Sequence, residues 1–192
     1  YKNNFLYAVD VGIDKVMSYP IENGVLGKGE VALNTSEGDG LRHVAFHPSN
    51  NVVYLISEFT NAIIIADIDA KSGVLTTIQK VSSLPDNYAK ESFAADIHIS
   101  NDGKFLYASN RGHNSIAVFS IATNGTLTFI NHTDTEGSWP RNFALSKDNK
   151  FLLVANQHGN NVTVFKRDMK LGTLMYTGHQ IKMSTPVFLK FL

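Results

Sequence analysis

Lys104-Phe-Leu-Tyr-Ala-Ser-Asn-Arg-Gly-His-Asn-Ser-Ile-Ala-Val-Phe119 reads as two strands joined through a polar turn. The same pattern is written three more times: Asn4-Phe-Leu-Tyr-Ala-Val-Asp-Val-Gly-Ile-Asp-Lys-Val-Met-Ser-Tyr19, Val52-Val-Tyr-Leu-Ile-Ser-Glu-Phe-Thr-Asn-Ala-Ile-Ile-Ile-Ala66 and Lys150-Phe-Leu-Leu-Val-Ala-Asn-Gln-His-Gly-Asn-Asn-Val-Thr-Val-Phe165. The equivalent residues Tyr7, Tyr54, Tyr107 and Leu153 are 47, 53 and 46 residues apart, a step that suits a β-propeller blade and not a helical solenoid. The expected fold is therefore all-β, a propeller of four-stranded antiparallel blades.

Each unit parses into four short strands by its alternation of apolar and polar residues and by the Gly, Asn and Asp clusters between them. In the third unit these strands fall at Phe93 to Ile99, Phe105 to Ser109, Ser115 to Ile121 and Leu127 to His132. Asn101-Asp-Gly103, Asn50-Asn51 and Asp148-Asn149 close the first hairpins, where a positive φ is expected, and Asn23-Gly24, Lys71-Ser-Gly73 and Asn124-Gly125 close the third. No stretch sustains a capped helical period, so almost no helix is expected. Phe46, Tyr54, Phe105, Tyr107, Phe119, Phe143 and Phe165 sit at repeat positions and read as packing between blades.

The four repeats span about 1–38, 39–90, 91–137 and 138–183, followed by 184–192. The chain opens on what would be a blade's second strand. Its last segment, Thr185-Pro-Val-Phe-Leu-Lys-Phe191, aligns with the first strands Gly40-Leu-Arg-His-Val-Ala-Phe46 and Trp139-Pro-Arg-Asn-Phe-Ala144. That segment is expected to act as a closing strand for the first blade, hiding its edge. Four blades would then form a ring; the favoured alternative, in keeping with the absence of an initiator Met, is a piece of a longer, seven-bladed propeller.

Composition excludes several classes of function. With 17 basic and 17 acidic side chains the formal charge is zero, and no Lys/Arg run occurs, so the field that draws proteins to nucleic acid is missing. No window is apolar enough for a membrane span. The absence of cysteine removes disulfides, thiolate nucleophiles and Cys-type zinc sites, and suits a cytoplasmic setting, with a secreted one as the alternative.

Function is sought where the repeats differ. Arg42, Ala95 and Arg141 share one position of the first strands, His43, Asp96 and Asn142 the next, and Val11, Glu58, Arg111 and Gln157 share the end of the second strands. The two strands form an antiparallel hairpin whose first strand lines the channel, so Arg42, His43, Glu58, Arg111, His113, Arg141 and Gln157 are expected at one mouth of it. Three converging guanidiniums point to an anionic ligand. Glu58 pairing with Arg42 or Arg111 as a structural ion pair is the plainer alternative. His98 reads as a buried hydrogen-bonding residue, and His47, His132, His158 and His179 as turn or surface groups. The loop Ser83 to Glu91 is the longest insertion and is expected to cover the channel.

Gly40-Leu-Arg-His-Val-Ala-Phe-His-Pro48, Ala95-Asp-Ile-His-Ile-Ser100 followed by Gly103-Lys-Phe-Leu-Tyr-Ala-Ser-Asn-Arg-Gly-His113, Pro140-Arg-Asn-Phe-Ala144 and Phe151-Leu-Leu-Val-Ala-Asn-Gln157 together resemble the lactonase family of seven-bladed propellers, across essentially the whole chain. The resemblance implies a central-channel site of Arg42, Glu58 and Arg111 with His43 and Arg141 beside them. Leu41 departs from the Pro usual there, and a family His from the preceding blade would fall before Tyr1. Hydrolysis of a sugar lactone is implied, with 6-phosphogluconolactone the first candidate: arginines hold the phosphate and polarise the carbonyl, and Glu58 or His43 is general base. Arg111 is assigned to catalysis, and Arg42, Arg141, His113 and Gln157 to substrate binding. No metal or other cofactor is called for, and the partner is a small anionic lactone. A muconate-type lactonizing enzyme and a non-catalytic binding propeller are the alternatives.

Overall fold

The computed structural model describes residues 1–191. Sixteen strands, and among the described residues no helix, make four antiparallel sheets. The first sheet holds β1 (Phe5–Asp10), β2 (Lys15–Glu22) and β4 (Glu30–Asn34), with the short β3 (Val25–Leu26) folded back on β2. The second runs β5 (Leu41–Phe46), β6 (Val52–Ser57), β7 (Ala62–Ile68), β8 (Leu75–Ser82), each paired with the next. The third runs β9 (Phe93–Ile99), β10 (Phe105–Arg111), β11 (Ser115–Ile121), β12 (Leu127–Asp134) in the same way. The fourth runs β13 (Pro140–Leu145), β14 (Phe151–Asn156), β15 (Asn161–Arg167), β16 (Leu174–Lys182). Four propeller blades result, as the repeat predicts. Among the described residues no helix is long and apolar enough to cross a membrane.

Stacking of the blades explains why the second strands are almost wholly apolar. Side chains alternate across a strand, and β6 is buried on both faces. Val53 and Leu55 pack with Tyr7 and Val16 of the first blade, whereas Tyr54 and Ile56 pack with Ile97, Leu106 and Phe119 of the third. Tyr107, Ile116 and Val118 meet Phe143, Leu152, Val154 and Phe165 of the fourth blade in the same way. The core is thus three layers between blades, and each buried aromatic or aliphatic side chain contributes about 1.5–3 kcal/mol.

Polar ties run between the same layers. The Tyr54 hydroxyl donates to the Gly125 carbonyl at 2.8 Å, and Tyr107 donates to Gly172 at 2.8 Å, each reaching the outer hairpin of the next blade. Burial pushes the Tyr107 hydroxyl up to about 12. Tyr7 occupies the equivalent place in the first blade, but its buried hydroxyl has no partner among the described residues. Tyr54→Phe therefore should lower the unfolding free energy by about 1–2 kcal/mol, because Gly125 loses its donor, while Tyr7→Phe should be near neutral or stabilising. Urea unfolding of both variants checks this; equal losses would refute the assignment.

Several expectations need correction. Residues 183–191 form no strand, so the expected closing strand does not complete the first blade among the described residues. The Leu189 N–H donates instead to Asn142 Oδ1 at 2.6 Å, which holds the segment beside β13. Asn149 and Gly103 take positive φ in their turns as expected, but Asn50 and Asn51 do not. His47 is buried, bridging from the Gly103 carbonyl on Nε2 to the Asn50 amide on Nδ1, because a tight turn leaves amides that need an acceptor. The 83–91 loop, expected to cover the channel, lies against the outer part of the third blade, with Tyr88 edge-on to His113 at 4.7 Å, and lines no part of the cavity formed by Arg42, His43 and Asp96.

Candidate functional site

Bulges in the innermost strands aim the candidate residues. In β5 the pairing passes from Leu41–Ser57 directly to His43–Ile56, which leaves Arg42 as an extra residue. In β13 it passes from Pro140–Asn156 to Asn142–Ala155, leaving Arg141. In β9, Ala95 and Asp96 share the single residue Ser109, whose hydroxyl accepts the Asp96 N–H at 3.0 Å. A bulge turns a side chain away from its regular direction. Here it does so at the same level in three successive blades.

Glu58 follows β6 and joins two arginines. Arg42 Nη1 donates to Glu58 Oε2 at 3.1 Å and Arg111 Nη2 to Oε1 at 2.7 Å, with the side chains 17%, 5% and 16% exposed for Arg42, Arg111 and Glu58. Arg42 Nε also donates to the Ala95 carbonyl at 2.9 Å, and Arg111 donates to the Phe93 and Ala94 carbonyls. The Arg111 guanidinium stands 5.7 Å from the ring centres of both Phe93 and Trp139. Burial alone would raise the Glu58 carboxyl, but the hydrogen bond and charge of Arg111, with those of Arg42, hold it below its ordinary value. Burial lowers Arg111, partly offset by Glu58, with the charges of Arg42 and Arg141 pressing the same way.

A second cluster adjoins the first. Asp96 is buried on β9 and accepts from His43 Nδ1 at 2.9 Å, His98 Nε2 at 3.0 Å, the Ile97 N–H at 3.0 Å, the Phe143 N–H at 3.3 Å and Asn142 Nδ2. These donors outweigh burial, and the Asp96 carboxyl lies well below the usual carboxylate range. His43, Asp96 and Asn142 are the equivalent residues of three blades, so the bonds form a belt across the innermost strands. With its Nδ1–H donated to the carboxylate, His43 carries Nε2 as an acceptor, and its side chain is 42% exposed. Arg42, His43, Asp96 and His98 line one cavity of about 490 Å³. Among the described residues, no group of three His, Asp or Glu is arranged to hold a metal ion.

Of the residues expected at the mouth, the structure brings together Arg42, Glu58 and Arg111, with His43 beside Arg42. Arg141 stands near Arg111, its Nη1 3.5 Å from Gln157 Oε1. His113 is placed elsewhere: Nδ1 is 2.6 Å from the Ser115 hydroxyl and the ring faces Tyr88 and His132, so it belongs to the outer side of the blade. Sequence reasoning gave no role to Asp96 or Trp139. Asp96-Ile-His98, two polar residues on one face of an inner strand, is the signal that marks the first. Trp139 holds φ 64°, where blade two has Gly40 at φ 65°, and stacks on His158 at 4.7 Å.

Four antiparallel blades whose innermost strands carry arginine, histidine and carboxylate side chains side by side define part of a β-propeller. The family model of the seven-bladed β-propeller lactonases matches residues 2–191, and the chain belongs to that family. It is 37% identical over 192 residues to the 6-phosphogluconolactonase of Bacillus subtilis (strain 168), covering 100% of this chain and 55% of that protein. It is 40% identical over 182 residues to the 6-phosphogluconolactonase of Formosa agariphila, covering 90% and 50%. Among solved structures, the periplasmic gluconolactonase of Pseudomonas aeruginosa superposes with a TM-score of 0.89 at 30% identity, over 98% of this chain and 54% of that one. A protein from Lactobacillus plantarum gives 0.90 at 34%, over 97% and 55%. The chain spans about half the length of these relatives.

Proposed function

We propose that this chain carries the working site of a lactonase that hydrolyses a sugar δ-lactone, with 6-phosphogluconolactone the first substrate. The observation that carries this reading is the His43–Asp96 pair set beside Arg42 on one cavity wall. His43 Nε2 takes a proton from water as the water oxygen attacks the lactone carbonyl carbon. The carbonyl oxygen becomes an oxyanion, which Arg42 stabilises through Nη2, a donor with no protein partner among the described residues. The ring C–O bond then breaks, His43 returns the proton to the departing ring oxygen, and the product is an open hydroxy acid.

Of the two candidates for general base, His43 is the better suited, and Glu58 takes a different part. Both of its oxygens are engaged by guanidiniums and its proton affinity is lowered, which makes it a poor base and a good anchor for Arg42 and Arg111. The names of the relatives above support the choice of substrate. Turnover of 6-phosphogluconolactone by the purified protein, corrected for spontaneous hydrolysis, tests the reading. Wild type should exceed the background rate and His43→Gln should lose about 100-fold or more in kcat. A wild-type rate equal to background would sink it.

A further inference from the structure

We propose that Arg141 reads a second anionic group on the substrate, a phosphate monoester set apart from the lactone carbonyl, and that Gln157 is what leaves Arg141 free to do so. The proposal rests on the lactonase reading above for its substrate class.

Blades two and four build one local frame twice. Each starts with a left-handed residue before the inner strand, Gly40 at φ 65° and Trp139 at φ 64°. The carbonyl of that residue accepts the N–H of the residue that follows the second strand, Glu58 to Gly40 at 2.8 Å and Gln157 to Trp139 at 2.9 Å. A bulge then directs an arginine from each inner strand toward that residue, Arg42 in one blade and Arg141 in the other. Backbone and arginine are repeated while the partner changes from a carboxylate to an amide.

The change of partner changes the charge. Arg42 meets Glu58 at 3.1 Å, and Glu58 also takes Arg111. Arg141 has only the neutral Gln157 Oε1 at 3.5 Å, and among the described residues no carboxylate lies within ion-pair distance of it. Three guanidiniums against the Glu58 carboxylate and the adjoining Asp96 still leave net positive charge at this mouth, with Arg141 the guanidinium that no carboxylate meets, and a phosphate monoester brings close to two negative charges near neutral pH. A guanidinium fork also matches phosphate oxygens two at a time. The oxyanion of lactone opening needs one donor at the carbonyl, which Arg42 supplies beside His43. The Arg141 charge, felt by Arg111 but separate from the His43 wall, is surplus to that step.

The test compares 6-phosphogluconate with gluconate, the two hydrolysis products differing only in the phosphate, by calorimetric titration of wild type, Arg141→Gln and Gln157→Glu, alongside kcat/KM for the two parent lactones. Wild type should prefer the phosphorylated member of each pair. Arg141→Gln should reduce that preference about tenfold or more. Gln157→Glu should reduce it comparably while Arg141 stays in place, because it rebuilds the ion pair of blade two. The second variant keeps the proposal testable if the first unfolds. A preference unchanged in the folded variants, an equal loss for both ligands, or a wild type that binds the two alike or binds neither overturns the proposal. Phosphate preference without turnover overturns the hydrolase reading alone, and turnover without preference overturns this inference alone.

Discussion

Glu58→Gln should destabilise the fold by about 2–4 kcal/mol at neutral pH, between the values for exposed pairs and for fully buried pairs broken by loss of one partner. Glu58 is the common acceptor of Arg42 and Arg111, and Arg111, 5% exposed between Phe93 and Trp139, has no route by which to turn its charge into water. Removing the carboxylate leaves two guanidiniums close together around a neutral amide. The pH dependence follows from the lowered Glu58 carboxyl. A group whose folded-state value lies below its unfolded value stabilises fully above the unfolded value and loses that stabilisation as pH falls through the folded one. The gap between wild type and Glu58→Gln should therefore be largest near neutrality and shrink as pH is lowered below the ordinary Glu range. Urea unfolding of both proteins across this range reads it. A gap that does not change with pH would show that Glu58 acts through shape and not through charge.

The parts of this architecture legible in the sequence are those fixed by periodicity. Val52 to Ser57 and Phe105 to Arg111 are buried on both faces between neighbouring blades, so their apolar runs and repeat spacing located the sheets. Hairpin geometry likewise brought Arg42, Glu58 and Arg111 together. The rest depends on features with no period. A bulge adds one residue to one strand and leaves the alternation on either side intact, so the convergence of His43, His98 and Asn142 on Asp96 could not be read from spacing. His113 left the expected site because its turn hands the ring to Tyr88 and His132, and the 83–91 loop is tied to the same face through Ser83, whose hydroxyl and carbonyl meet Asn110 and His132. Thr185 to Phe191 has the alternation of an inner strand, but pairing needs a neighbour, and its Leu189 amide is taken by the Asn142 side chain. Trp139 shows the same limit: nothing in a tryptophan announces a left-handed backbone, and only its alignment with Gly40 suggests one.

Asp96→Asn should lower the kcat of the proposed lactone hydrolysis by about 10²–10⁴ with KM nearly unchanged. What changes is which imidazole nitrogen carries the proton. The Asp96 carboxylate only accepts, so its 2.9 Å contact obliges His43 Nδ1 to donate and leaves Nε2 as the atom able to receive a proton from water. An asparagine of the same shape offers an amide N–H2 as readily as a carbonyl, and with the amide toward His43 the ring proton moves to Nε2. His43 would then lie on the same wall, in the same place, with the wrong nitrogen protonated. In the proposed hydrolysis the residue acts through His43 as a positioning group, and a purely structural role predicts a different result. Asp96 also holds His98, Asn142 and two backbone amides, so some loss of stability is expected and must be measured beside the rate. Nitrogen-15 shifts of the His43 ring separate the two causes. A tautomer switch accompanied by a fall in kcat in a folded variant supports the assignment. An unchanged tautomer with full activity would remove Asp96 from the machinery and leave it a structural carboxylate.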